Sequence, residues 1–189
     1  MKTTNIMIVG VGGQGSLLAS RLLGNLLMNE GFDVKVSEVH GMSQRGGSVT
    51  TYVRFGERVY SPLIDEGGAD FIVSFEQLEA ARWLKYLKPG GKIIVNTQKI
   101  SPMPVITGVA QYPDALVERM ISAGASVDAL DALRLASDAG SSKAVNIVLM
   151  GRLSKHFNFA PEAWQKALTE VVPERFLDLN RKAFALGAE

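Results

Sequence analysis

Cysteine is absent from the 189-residue sequence. That excludes disulfides, thiolate zinc sites and any iron–sulfur cluster ligated by this chain, so electron carriers serving it would sit on another molecule. Histidine is nearly absent too. With two imidazoles in the sequence, no Ser–His–Asp set, paired-carboxylate site or metal-ligand spacing stands out, and no residue is assigned a catalytic or metal-binding role. An excess of one charge is also lacking: 20 Lys and Arg face 19 Asp and Glu, a net charge of +1. No electrostatic footprint for nucleic acid or an anionic membrane surface results. No apolar run approaches the ~20 residues of a membrane span. The first such stretch is interrupted by Gly10, Gly12, Gly13 and Gly15, which breaks the apolar centre that a secretory signal needs. A cytoplasmic protein is expected.

What is present suits a folded α/β chain of one domain over 1–189, with 47% hydrophobic residues and 19 glycines. Ile6–Val9 is a short apolar run suited to a strand buried on both faces. Ser16 to Glu30 has helical periodicity, with Leu18, Leu22 and Leu26 at i+4 spacing and Gly31 as its stop. Phe32–Val36 is predicted as a second strand, completing a βαβ-like opening. Ser48–Phe55 alternates strictly, and Gly56-Glu57 separates it from Arg58–Leu63, an expected antiparallel hairpin. Further strands are predicted at Asp70–Ser74, Lys92–Asn96 and Ala125–Leu130. Helices are predicted from Glu76 to Leu87, from Pro113 to Ala123 and from a Ser141/Ser142 cap to about Phe157. Pro161 and Pro173 each open a C-terminal helix, and Asp178 with Lys182 is an expected i,i+4 pair. The fold expected is a three-layer Rossmann-like α/β domain with a mixed, mostly parallel sheet and an antiparallel hairpin.

Two segments carry chemistry. Gly10-Val11-Gly12-Gly13-Gln14-Gly15 places G-x-G-x-x-G between a strand and a helix, where glycines permit close approach and free N–H groups favour an anion. Glu38 follows at about the position of a ribose-binding carboxylate. Three readings stay open: tight helix–sheet packing, a nicotinamide or flavin site, or another phosphate-bearing ligand or partner-facing loop. The second segment, from Glu38 to Gly47, gathers Glu38, His40, Ser43, Gln44 and Arg45 beside Gly46. Both should lie outside the carboxyl ends of the strands, where open α/β sheets bind ligands. Arg45 suits a carboxylate or phosphate, or a pairing with Glu38. His156, near a helix end, is expected to cap the helix dipole.

Together, GVGGQG at 10–15 and SEVHGMSQRGGSV at 37–49 resemble the gamma-type subunits of 2-oxoacid:ferredoxin oxidoreductases, and the wording HGMSQ favours the indolepyruvate (aryl-pyruvate) beta-subunit branch. The resemblance extends over the chain to Asn180–Gly187. It implies CoA-dependent oxidative decarboxylation of a 2-oxoacid, giving acyl-CoA and CO2 with reduction of ferredoxin. It further implies that thiamine diphosphate, Mg and iron–sulfur clusters belong to a large alpha-type partner, with ferredoxin reached through the complex. A subunit of this kind should expose an apolar patch, on which the isolated chain can form a homodimer. The rival expectations are a stand-alone NAD(P)- or FAD-binding oxidoreductase and a non-catalytic assembly module of the same fold.

Overall fold

The computed structural model describes residues 3–41 and 46–189. β1 (Thr4–Val11) runs through the middle of the molecule, with Ile6 and Ile8 buried on one face and Met7 and Val9 on the other. α1 (Ser16–Asn29) follows and buries Ala19, Leu22, Leu23, Leu26 and Leu27. Gly31 ends it at φ +84, and the Gly31 and Phe32 N–H groups return to Met28 and Leu27 carbonyls, a Schellman closure. β2 (Asp33–His40) and β3 (Ser48–Gly56) come next, then β4 (Ala69–Ser74), α2 (Gln77–Trp83) with a 3-10 turn to Tyr86, and β5 (Leu87–Asn96). α3 (Met103–Ile106), α4 (Leu116–Ser122), β6 (Ser126–Leu130), α5 (Ala132–Ala139), α6 (Val145–Ser154), α7 (Pro161–Val171) and α8 (Leu177–Ala188) complete the order.

The six strands form one mixed sheet in the order β2-β3-β1-β4-β5-β6. β1, β4, β5 and β6 are parallel, whereas β3 is antiparallel to both β1 and β2. Helices cover both faces. α1 and α5 to α8 enclose a core with Ile8, Val73 and Ile94, and α2 and α4 cover Met7, Ile72 and Val95 on the other side. Arg152 of α6 grips Asp128 of β6 through two hydrogen bonds of 2.8 and 2.9 Å. Among the described residues, no helix is long and apolar enough to cross a membrane.

The three-layer, mixed-sheet expectation holds, but several details differ. Arg58–Leu63 is not a strand, and the antiparallel partners of β3 are β2 and β1 instead. Side chains capture that segment's backbone before a ladder can: Asp33 accepts from Val59 N at 2.8 Å, and Arg54 donates to the Ser61 and Leu63 carbonyls. The opening βαβ unit has β3 inserted between its two strands. β2 also runs on through Ser37–His40, because an edge strand with an exposed end needs no apolar alternation. α5 carries no expectation from the sequence. Its apolar side is mostly alanine, with Ala132, Ala136 and Ala139 buried. Asp178 lies 3.8 Å from Arg181, while Lys182 donates instead to the Asp138 carbonyl.

His156 is not a charged helix cap. Its ring packs 5.6 Å from Phe71, Nε2 is buried with no hydrogen-bond partner among the described residues, and desolvation, followed by the Lys92 charge, lowers its pKa from 6.5. A lowered folded-state pKa means the unfolded chain takes up the proton first. Stability should therefore fall as pH drops below about 6.5. His156→Phe, which keeps the ring stack, should flatten that slope; urea unfolding between pH 5 and 8 measures it, and an unchanged slope would refute the assignment.

Candidate functional site

At the carboxyl end of β1 the glycines divide their work. A Cβ at Gly10 would lie 2.9 Å from both Gln14 Oε1 and Phe75 Cβ, so Gly10 is where the loop folds onto β4. Gly15, at φ +88, presses against Asn146 of α6, whose Nδ2 donates to the Gly15 carbonyl at 3.2 Å. Gln14 turns inward: Oε1 accepts from Val11 N at 2.7 Å and Nε2 donates to the Phe75 carbonyl at 3.2 Å. These three residues meet the packing reading of the motif. Gly13, at φ +100, has nothing within 4 Å of its would-be Cβ among the described residues.

Gly12 joins the two segments singled out in the sequence. Its N–H donates to the Gly47 carbonyl at 2.8 Å, and Gly46 N–H lies 3.5 Å from the Gly12 carbonyl. Ser43, Gln44 and Arg45 lie outside the described residues, but both roots of their segment are fixed beside the glycine loop. On one side Glu38 accepts from Thr51 Oγ1 at 3.2 Å and His40 Nδ1 lies 3.1 Å from the Gly41 carbonyl. On the other, Ser48 Oγ donates to Glu79 Oε2 at 2.5 Å, and Arg82 holds the second oxygen at 2.8 Å. Glu79 is 3% exposed. Nothing in the sequence distinguishes it from the other carboxylates of a predicted helix.

Two clefts flank the glycine loop. The first, about 410 Å3, lies between Gly12–Leu17 and Glu38, His40 and Val49. The second, about 470 Å3, is lined by Gly13, Gln14, Gln98, Ile100, Ser142 and Lys143. The first has a carboxylate on its wall; the second has Lys143, exposed and without an ion pair among the described residues, near the start of α1. Opposite charges therefore separate the clefts, and an anionic group is better accommodated in the second. Lys143 was not among the sequence candidates, since an isolated lysine in a serine-rich turn has no distinguishing pattern. The inserted β3 sets Glu38 one strand further from β1 than a dinucleotide fold would. Among the described residues no group of three or more His, Asp or Glu is placed to hold a metal ion.

A mixed sheet with an antiparallel strand beside β1, and a glycine loop hydrogen-bonded to Gly47, define a Rossmann-like α/β chain whose strand order departs from that of a dinucleotide-binding domain. Residues 5–189 match the pyruvate ferredoxin/flavodoxin oxidoreductase family. The chain is 45% identical to indolepyruvate oxidoreductase subunit IorB of Thermococcus kodakarensis, over 100% of this chain and 96% of that one. It resembles the solved keto/oxoacid ferredoxin oxidoreductase gamma subunit of Geobacter sulfurreducens, with a TM-score of 0.72 and 25% identity over 97% and 95% of the two chains. The same fold recurs at TM-score 0.74 and 18% identity in 2-oxoglutarate:ferredoxin oxidoreductase of Magnetococcus marinus, where it matches 100% of this chain but 31% of the longer one. The chain belongs to the pyruvate ferredoxin/flavodoxin oxidoreductase family, as a small subunit of the 2-oxoacid:ferredoxin class.

Proposed function

We propose that residues 1–189 are one gamma-type domain that serves as the small subunit of a cytoplasmic indolepyruvate (aryl-pyruvate):ferredoxin oxidoreductase. The observation that carries this reading is the 45% identity over the whole chain to a subunit named for indolepyruvate. Thiamine diphosphate, Mg and the iron–sulfur clusters then reside on a large alpha-type companion, in keeping with a chain that has no cysteine. CoA is the co-substrate, and ferredoxin is reached through the assembled complex. The role of this chain is to line the reaction chamber or the CoA path with the Gly10–Gly15 loop and the Ser43–Gly47 segment. Gly13 leaves room for close approach, Lys143 supplies positive charge, and Arg45 holds an anionic group of substrate or CoA.

Co-expression with the proposed large alpha-type companion tests this. The complex should oxidise indole-3-pyruvate with CoA and reduce ferredoxin, and the isolated small chain should be silent. Within the complex, Arg45→Ala should raise the KM of CoA or of the oxoacid roughly tenfold or more, because a hydrogen bond to a charged group contributes about 1.5–3 kcal/mol. Unchanged Michaelis constants would remove Arg45 from the site, and turnover by the isolated chain would end the subunit reading.

A further inference from the structure

Residues 100–113 contain no Asp, Glu, Lys or Arg, in a chain that is 21% charged. The segment leaves the carboxyl end of β5, forms α3 and returns to Tyr112, presenting Met103, Ile106 and Val109 at 66, 66 and 83% exposure. It is internally built. Val105 and Ile106 N–H groups donate to the Pro102 carbonyl, Thr107 N–H to Met103, and Ala110 N–H to Pro104 at 2.9 Å.

Its neck is held by one buried carboxylate. Glu76 is 1% exposed, and its Oε1 accepts from Ile100 N at 3.1 Å and from the Tyr112 hydroxyl, which itself accepts from Leu78 N. Lys99 Nζ lies 5.6 Å over the Tyr112 ring. Both ends of the excursion are thus fixed by polar groups while its apolar tip faces water. Folding alone gains little from such a tip, because exposed apolar area is unfavourable unless something covers it.

We propose that residues 101–110 are a preformed docking loop for the large companion subunit, and that Glu76 positions it. The proposal rests on the subunit reading above. Ile100, at the loop's root, also lines the cleft that holds Lys143, so a chain docked on the loop lies against the mouth of that cleft. In the Magnetococcus protein this fold occupies 31% of a longer chain. The covering surface should be apolar and concave, since the loop offers a convex tip with no charge to pair. A second copy fits less well. Two convex tips do not bury each other about a two-fold axis, and seating the tip against Phe176 and Leu179 of another copy is a heterologous contact, which builds rings or open chains.

The test measures association of the purified small chain with the co-expressed large chain. Ile106→Glu/Val109→Glu should weaken binding by at least roughly 30-fold, because a carboxylate buried without a partner is strongly unfavourable. The milder Ile106→Ser/Val109→Ser should weaken it roughly tenfold without adding charge. Thermal unfolding of the isolated variants should match wild type, since both positions are exposed. Met28→Glu, on the exposed face of α1 and away from both clefts, should leave binding unchanged. Wild-type binding with unaltered loop variants overturns the loop alone, as does an equal loss from the α1 variant. Loop variants that dissolve a self-associated form yet bind the companion normally overturn it in favour of a second copy. Failure of the wild-type chain to bind the large chain overturns the subunit reading and this inference together.

Discussion

Gly151→Ala and Gly187→Ala should each destabilise the chain by about 3 kcal/mol, at the upper end of ordinary overpacking costs. An ideal Cβ at Gly151 would lie 2.1 Å from the Phe184 carbonyl oxygen, and one at Gly187 would lie 2.0 Å from that of Val148. The two glycines are reciprocal: each admits the backbone of the opposite helix, so α6 and α8 touch main chain to main chain. A backbone carbonyl cannot rotate away as a long side chain can, so the helices would have to separate. Separation would also open the contacts of Val148 and Phe184 in the core. For a chain of this size the midpoint should fall by roughly 6–12 °C, because each kcal/mol shifts Tm by about 2–4 °C. Calorimetry of the purified variants checks this. A loss below about 1 kcal/mol for both would mean that the helices are not locked at this contact. Neither position lines the clefts beside the glycine loop, so whatever complex still forms should keep wild-type Michaelis constants.

Those two glycines were invisible in the sequence as a contact. Gly151 lies in an apolar run and Gly187 near the end of the chain, and nothing local says that two helices cross there. The central parallel strands were legible because burial on both faces leaves continuous apolar runs, as at Ile6–Val9 and Ile93–Val95. The pairing of β3 was not. Its alternation indicates a strand, but not that it enters between β1 and β2, which is decided by backbone groups far apart in sequence. Arg58–Leu63 looked like its partner because it follows a glycine turn, yet Asp33 and Arg54 satisfy that backbone with side chains.

For the site, the glycine motif and the polar segment after β2 were both visible in the sequence. Their mutual clamp, Gly12 to Gly47, was not, and neither was the inward turn of Gln14, which uses its amide to hold Val11 and Phe75. An amide in a glycine-rich loop suggests a ligand contact. Only the structure shows that both ends of this one are occupied by main chain. Glu76 and Glu79 escaped notice for a related reason: buried carboxylates look like any others in a charged helix until the donors around them are known.

Glu76 supplies the other large effect. Its two oxygens receive the Glu79 N–H, the Ile100 N–H and the Tyr112 hydroxyl, at a site 1% exposed. Glu76→Ala leaves these donors facing a cavity, and each buried donor without a partner costs about 1–3 kcal/mol. Water entering beside the half-buried Tyr112 recovers part of that, so about 3 kcal/mol of lost stability is expected from urea unfolding. Glu76→Gln keeps an acceptor and should lose about 1 kcal/mol, as should Tyr112→Phe, which removes one hydroxyl. If alanine and glutamine cost the same, packing and not hydrogen bonding governs the site. A pH signature separates the two as well. Burial first, and then the Glu76 carboxylate, raise the Tyr112 pKa above 10.0. A phenol with a raised folded-state pKa supports the fold fully below the unfolded value and loses that support as pH climbs past about 10 toward the raised one. Wild type should therefore lose stability at alkaline pH more steeply than Tyr112→Phe, and the difference should shrink in Glu76→Ala, where the acceptor of that proton is gone.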